Sequence, residues 1–327
     1  MGQLVQSPIV KVYHGYGHTN VLLVYGHVFK RKPAVGRSYT NNIFLNIINL
    51  VKLFFAKPFP HVRVRLNWQQ QELLSTADKN GFFQFEWQSQ HEVEKGWHSF
   101  TVDCIDAMGV VMGSGRGALY VPYSTQYLLV SDIDDTVMVS HSATIFRRLR
   151  ELLTKNPRTR RQFEDLASYY RKLALAGTNA DTPNPFFYVS SSEWNLFDYL
   201  VEFFRYNRLP KGIFLLSQLK YRWQLLISGK NKHEGKLARI SRLLEMFPKQ
   251  QFILLGDNSQ HDPIIYTTIA KKFPGRIFAI YIRNVRKEKA GVSEEILDAA
   301  RGLSVKVCLF EDTQEAEKHS KGAGLIG

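Results

Sequence analysis

The stretch Tyr127–Ser140, YLLVSDIDDTVMVS, decides how the second half of the chain is interpreted. An apolar run typical of a buried strand is followed at once by Asp132, Asp134 and Asp135. Carboxylates this close together repel one another and gain nothing for the fold. The pattern therefore indicates a site that meets a cation or takes part in a reaction.

The length of the chain indicates how many domains it has, and its charge indicates which partners it can bind. The chain has 327 residues, of which 44% are hydrophobic, so two domains with cores of their own are expected. Lys and Arg number 43 against 29 Asp and Glu, which gives a net charge of +14. This surplus favours anionic partners: nucleic acid, anionic lipid surfaces or phosphorylated substrates.

The cysteines and the N-terminus predict the compartment. Cys104 and Cys308 lie far apart, without the spacing of metal ligands, and are expected to be free thiols in a reducing compartment. The first residues lack the basic and apolar regions of a secretory signal, and no transmembrane segment is predicted. We expect a cytoplasmic protein that associates with membranes peripherally.

Residues 1–123 are predicted to form an antiparallel β-sandwich. Short runs rich in β-branched and aromatic residues, such as HVRVRLNW and GFFQFEW, are separated by turn residues. An apolar helix near residues 43–56 interrupts this pattern, with Asn46, Asn49 and Lys52 on a narrow polar stripe. Two interpretations stay open: a helix packed against the sandwich, or one that lies on a membrane surface.

Residues 124–327 are predicted to form an α/β domain with a parallel sheet. Six apolar strands alternate with helical patterns. The strands are YLLVSD, PFFYVSSS, GIFLLS, QFILLGD, RIFAIYIR and SVKVCLF. The helical patterns are ATIFRRLRELLTK (143–155), RQFEDLASYYRKLAL, EWNLFDYLVEFFRYN and KLARISRLLEMF. Ligands of such sheets bind at the carboxyl ends of the strands. Polar residues at or just after these ends, or on the helix that follows, are candidates for one site: Asp132, Asp134, Thr136, Ser190, Lys236, Asp257 and Asp262.

These motifs resemble the haloacid-dehalogenase-like phosphohydrolases, whose D-x-D-x-T motif is matched by Asp132, Asp134 and Thr136. The stretches YVSSSEWNLFDYL, GKLARISRLLEMFPKQQFILLGD and QHDPIIY are similar to the catalytic domain of the actin-patch phosphatidate phosphatase family, relatives of the lipins in chemistry. The resemblance runs from Tyr127 to the C-terminus, and the β-rich first half is similar to the domain preceding it in that family. Three positions depart from the family pattern: Asn258, Ser259 and Ile264.

The resemblance implies a phosphatase that works through a covalent intermediate. Asp132 would attack phosphorus and form an aspartyl-phosphate, which water then hydrolyses. Asp134 would protonate the leaving alkoxide and afterwards accept a proton from the attacking water. Lys236 and the Ser190 hydroxyl would contact the phosphoryl oxygens.

The resemblance also implies Mg²⁺ as the cofactor, because an anionic nucleophile must approach an anionic phosphate. Mg²⁺ is typically bound by one or two carboxylates together with substrate phosphate and water. By the family pattern, Asp132 and Asp257 bind through side chains, Asp134 through its backbone carbonyl, and Asp262 directly or through water.

The segment between the first two motifs predicts at most a small cap over the site. From Thr136 to Ser190 is 190 − 136 = 54 positions, room for two helices. Nine basic residues are expected to form either a solvated face or a rim that attracts anionic lipid or a large phosphorylated substrate. They are Arg147, Arg148, Arg150, Lys155, Arg158, Arg160, Arg161, Arg171 and Lys172.

Three functions follow from these patterns. The leading hypothesis is a Mg²⁺-dependent phosphatidate phosphatase that releases diacylglycerol and phosphate at an anionic phospholipid surface. The second keeps the chemistry but acts on a soluble phosphate ester or a phosphoprotein. The third is a non-catalytic membrane-binding or nucleic-acid-binding adaptor. A nucleic-acid partner is not expected, since the sequence shows no zinc finger, RNA-recognition signature or aromatic platform.

Overall fold

The computed structural model describes residues 7–18, 20–30, 57–133, 164–217 and 232–327. The chain divides into two compact units, Met1–Pro122 and Tyr123–Gly327. Within the described ranges, every helix is too short or too polar to cross a bilayer. Several predicted features lie outside these ranges: the helix at 43–56, the helix at 143–155, Asp134, Thr136 and the basic residues Arg147, Arg148, Arg150, Lys155, Arg158, Arg160 and Arg161.

The described residues of the first unit form eight strands. They are β1 (Ile9–Val12), β2 (His14–Gly17), β3 (Val21–Phe29), β4 (Arg63–Trp68), β5 (Gln71–Thr76), β6 (Phe82–Gln88), β7 (Gly96–Ile105) and β8 (Val111–Val121). Their order is β1-β3-β2-β8-β7-β4-β5, and β6 also pairs with β3. All of these pairs are antiparallel except β2 with β8, which is parallel. The prediction that the first half forms a mainly antiparallel β domain is confirmed.

A buried cluster packs between the described strands of this unit. It includes Val64 of β4 and Phe85 of β6, which lie far apart in the strand order, so distant parts of the sheet contribute to it. In the described residues the hydrogen bonds join all of these strands into one sheet, rather than into the two separate sheets of the predicted sandwich. Strands β1 and β2 escaped prediction because each has only four residues, and β5 because its side chains are at most half-buried.

The second unit contains a six-stranded parallel sheet. Its strands are β9 (Tyr127–Asp132), β10 (Phe186–Glu193), β11 (Ile213–Ser217), β12 (Gln251–Asp257), β13 (Ile277–Arg283) and β14 (Lys306–Phe310). Their order is β11-β10-β9-β12-β13-β14, and every pair is parallel. All six strands predicted for this half are present. The chain adds β10 and β11 on one side of β9 and β12 to β14 on the other. Ligands of such sheets typically bind where the direction changes, which here is the carboxyl end of β9.

Six α-helices accompany this sheet in the described ranges. They are α1 (Glu164–Ala174), α2 (Phe197–Tyr206), α3 (Lys232–Met246), α4 (Asp262–Lys272), α5 (Ala290–Arg301) and α6 (Thr313–Gly322). The sequence patterns predicted α1, α2 and α3 but not α4, α5 or α6. Seven of the eleven residues of α4 are buried, so this helix shows no contrast between an apolar and a polar face.

Candidate active site

The carboxyl ends of the two central strands bring two predicted aspartates to one edge of the sheet. Asp132 is the last residue of β9 and pairs with Val189 of β10, directly before Ser190. Asp257 is the last residue of β12, the other neighbour of β9. The parallel register thus places Asp132 between Ser190 and Asp257.

Three carboxylates converge at this point. Asp132, Asp257 and Asp262 each offer one oxygen, and these atoms lie within 4.8 Å of one another. All three side chains are buried, with at most 1% of each residue exposed. Asp262 reaches the cluster because α4 begins at this residue. Its Oδ2 accepts a hydrogen bond of 3.3 Å from the backbone N–H of Asp257.

Lys236 supplies a buried positive charge to this cluster. Its Nζ lies 2.8 Å from Oδ1 of Asp132 and 2.5 Å from Oδ1 of Asp262. Burial lowers the pKa of the Lys236 ammonium, but the two carboxylates outweigh burial and hold this pKa above its usual range. The lysine therefore stays charged, and it bridges the ends of β9 and α4.

Gly256 allows Asp262 to approach the strand. A Cβ atom at this position would lie 2.4 Å from Oδ2 of Asp262 and 2.8 Å from Cε2 of Tyr266. The Tyr266 hydroxyl donates a hydrogen bond of 3.0 Å to the carbonyl of Leu255, which fixes the ring against β12. Sequence reasoning did not assign Gly256 a role, although a glycine directly before a strand-end aspartate was visible.

A buried pair of hydroxyl groups supports the other strand end. The Oγ of Ser131 donates a hydrogen bond of 2.9 Å to the carbonyl of Asp132. It lies 2.8 Å from the Tyr170 hydroxyl, which belongs to α1. Burial raises the pKa of Tyr170, so this hydroxyl stays protonated. The sequence gives no signal for this pair, because 39 positions separate the two residues.

Ser190 is fully buried beside Asp132 and has a basic neighbour on α3. Arg239 donates a hydrogen bond of 3.2 Å from its guanidinium to the carbonyl of Ser190. Arg239 lies three residues after Lys236, so both cations project from the same side of α3. This second cation beside the predicted site was not among the residues selected from the sequence.

The chemistry of the carboxylate cluster fits a hard divalent cation. Three buried carboxylate oxygens within 4.8 Å of one another are donors that Mg²⁺ accepts. The single ammonium of Lys236 leaves the group with an excess of negative charge that a divalent cation would balance.

Two residues of the predicted basic rim, Arg171 and Lys172, lie in the described ranges. Arg171 donates a hydrogen bond of 2.9 Å to the carbonyl of Arg208, shortly before β11 begins, and Lys172 pairs with Glu317 of α6. Both side chains are thus engaged with groups of this protein, and the basic rim stays a prediction.

Known proteins are similar to the second half of the chain, which contains the carboxylate cluster. The family model for the catalytic domain of phosphatidate phosphatase APP1 matches residues 127–284. Phosphatidate phosphatase APP1 of Saccharomyces cerevisiae is 35% identical over 122 residues, which are 36% of this chain and 20% of the yeast protein. The uncharacterized protein C29B5.04c of Schizosaccharomyces pombe is 28% identical over 166 residues, 50% of this chain and 26% of that protein. The chain thus spans about a fifth to a quarter of the length of these relatives.

Solved structures resemble the chain only weakly. A carbohydrate acetylesterase from Xanthomonas citri aligns with a TM-score of 0.32 at 9% identity, over 97% of this chain and 73% of the esterase. Such a score does not assign a fold. The matched range starts at the first residue of β9 and ends just after β13, so it contains all three clustered aspartates and Lys236. Residues 127–284 of this chain are therefore similar to the catalytic domain of phosphatidate phosphatase APP1.

Proposed function

We propose that this protein is a Mg²⁺-dependent phosphatidate phosphatase that hydrolyses phosphatidate to diacylglycerol and phosphate. The observation that carries the proposal is the buried group in which Lys236 contacts Asp132 and Asp262 while Asp257 completes a three-carboxylate cluster. The match to the catalytic domain over residues 127–284 supports the substrate. The strand order and the aspartate at the end of β9 support a haloacid-dehalogenase-like domain.

The carboxylates of Asp132, Asp257 and Asp262 would hold Mg²⁺, together with the backbone carbonyl of Asp134 that the family pattern implies. A bound divalent cation would offset the charge repulsion between the phosphate and the carboxylates. The remaining roles belong to side chains of this protein.

Asp132 is the proposed nucleophile. One of its carboxylate oxygens forms a bond to phosphorus while the ester P–O bond breaks, and the leaving alkoxide takes a proton from Asp134. Water then attacks the aspartyl-phosphate, Asp134 accepts its proton, and phosphate leaves as the Asp132 carboxylate is restored.

Lys236 and the neighbouring end of β10 hold the reacting groups. The ammonium of Lys236, 2.8 Å from Oδ1 of Asp132, keeps the nucleophile oriented and reduces its repulsion from the phosphate. The Ser190 hydroxyl is the proposed hydrogen-bond donor to a phosphoryl oxygen. The Thr136 hydroxyl, which completes the D-x-D-x-T motif, is assigned to the same site.

The decisive experiment measures phosphate release from vesicles that contain phosphatidate, with Mg²⁺ or with EDTA. The wild type is compared with Asp132→Asn, with Asp134→Asn and with Asp181→Asn, which changes an exposed loop aspartate as a matched control. We expect Mg²⁺-dependent release by the wild type and the control, and a loss of at least about 10³-fold in both site variants.

A water-soluble phosphate ester tested in parallel separates the hypotheses. Release from the ester without release from vesicles would retain the mechanism and overturn phosphatidate as the substrate. Release from neither, at full Mg²⁺ binding, would leave the non-catalytic adaptor as the better account. Release that persists in Asp132→Asn would exclude the aspartyl-phosphate.

A further inference from the structure

We infer that Asn258 is a positioning residue that sets the affinity of the site for its divalent cation. The inference rests on the proposed metal site and adds a residue that acts through Asp257. Asn258 follows the strand-end aspartate directly and is only 1% exposed. It is also one of the positions where this chain departs from the family pattern.

The side chain of Asn258 joins the loop after β12 to the segment after β13. Its Nδ2 donates hydrogen bonds of 2.6 Å to Oδ1 of Asn284 and 2.9 Å to the carbonyl of Arg286. Its Oδ1 accepts a hydrogen bond of 2.8 Å from the backbone N–H of Arg286. Both donors and the acceptor of the amide are thus engaged.

Backbone and neighbouring contacts reinforce the same junction. The backbone N–H of Asn258 donates to the carbonyl of Arg283 at 3.1 Å, which extends the β12–β13 pairing by one residue. The Nζ of Lys289 donates a hydrogen bond of 2.9 Å to the carbonyl of Ser259. The loop 258–259 is therefore tied to the segment 284–289 at several points.

This junction acts on the carboxylate of Asp257. The backbone N–H of Ser259 donates a hydrogen bond of 2.6 Å to Oδ1 of Asp257. The direction of that N–H depends on the conformation of the loop, which the amide of Asn258 fixes from the other side. Asn258 thus orients a metal ligand through its neighbour without touching the metal.

A serine at position 258 cannot replace this junction. Its hydroxyl is shorter than the amide and has one donor where the amide has two, so at least one of the part-buried hydrogen bonds to Asn284 and Arg286 would be lost. Groups that orient metal ligands typically change metal affinity 10-fold to 100-fold when they are removed. We expect the Kd for Mg²⁺ in Asn258→Ser to rise by about this factor.

The test measures Mg²⁺ binding to the full chain by titration calorimetry, independently of turnover. The matched control is Asn184→Ser, because Asn184 is also buried and donates from Nδ2 to the carbonyls of Leu173 and Ala176, away from the site. Both variants should unfold at a lower temperature in EDTA. Only Asn258→Ser should bind Mg²⁺ more weakly.

A second variant covers the case in which Asn258→Ser fails to fold. Asn284→Ala removes one of the three partners of the Asn258 amide, and it should raise the Kd for Mg²⁺ several-fold. Equal Kd values for the wild type and the position-258 and position-284 variants would overturn the inference. So would an equal loss of affinity in Asn184→Ser.

The outcomes separate this inference from the proposed function. If the wild type binds Mg²⁺ and the variants do not differ from it, only the role of Asn258 fails. If binding follows the expected pattern without phosphatidate hydrolysis, the proposed substrate fails and the positioning role stands. A wild type that binds no Mg²⁺ overturns the metal site and the role of Asn258 together.

Discussion

The ammonium of Lys236 lies 2.5 Å from the carboxylate of Asp262, although the two residues are 26 positions apart. The same ammonium contacts Asp132. One cation on α3 therefore links the end of β9 to the start of α4. Because the group is buried, removal of the cation leaves carboxylates without a compensating charge.

Lys236→Met should therefore lower both stability and turnover. In EDTA we expect a loss of about 3 kcal/mol in the free energy of unfolding, as for other buried ion pairs that lose one partner. Turnover should fall by about 10²-fold or more, since a positioned cation at the phosphate is lost. Urea unfolding and phosphate release test both values, with the exposed Lys249→Met as the control. Unchanged stability in EDTA would contradict the structural role of this contact.

Gly256→Ala should weaken the site without removing any charged group. The added Cβ would lie 2.4 Å from Oδ2 of Asp262, so this carboxylate must move away from the cluster. We expect weaker Mg²⁺ binding and about 1–3 kcal/mol of destabilisation, as for other overpacked positions. Gly291→Ala is the control, because nothing lies within 4 Å of a Cβ there. Calorimetric titration would show equal Mg²⁺ affinity in both variants if Gly256 had no such role.

Ser131 and Tyr170 should behave as one energetic unit. Ser131→Ala and Tyr170→Phe each remove one partner of the buried hydrogen bond of 2.8 Å, at an expected cost of about 1–2 kcal/mol. The double variant should cost less than the sum, with a coupling energy of about 1 kcal/mol. A double-mutant cycle in urea measures this coupling. Strict additivity would show that the two hydroxyls do not stabilise each other.

His27 should make the first unit sensitive to acid. Burial lowers the pKa of this imidazole to about 3, and its Nδ1 lies 3.0 Å from the Tyr13 hydroxyl. The unfolded chain has an ordinary histidine pKa of about 6.5, so between pH 6.5 and 3 it binds a proton that the fold excludes. This contribution to stability is complete above about pH 6.5 and falls by up to about 1.4 kcal/mol per pH unit below it.

His27→Gln removes this titration and tests the assignment. The fluorescence of Trp68 and Trp87, which pack in the core of the same unit, reports its unfolding in urea. We expect a smaller decrease in stability between pH 7 and pH 5 for His27→Gln than for the wild type. The exposed His91→Gln should keep the slope of the wild type. Equal slopes in all three proteins would assign the acid sensitivity to other groups.

The sequence predicted the sheet of the second unit because its strands are apolar over nearly their full length. All six residues of β9 are buried, and in a parallel sheet covered on both faces such runs stand out against amphipathic helices. Helix α4 lacked this contrast, since it is buried on most sides and begins inside the site. In the first unit, β1 and β2 were too short to show a pattern of buried and exposed residues. The residues of β5 bury too little of their surface to show this pattern clearly.

By itself, the sequence determined which chemical groups the second unit offers: Asp132, Ser190, Lys236, Asp257 and Asp262, in the chain order of the phosphohydrolase motifs that they resemble. Only the tertiary structure decided which of them meet and what holds them. The reversal of strand order beside β9 places Asp132 between β10 and β12, and Gly256 lets Asp262 come close. Contacts such as Ser131 with Tyr170, and Asn258 with Asn284, join residues 39 and 26 positions apart. Local sequence patterns reflect the periodicity of single elements, whereas such contacts depend on how the elements pack against each other.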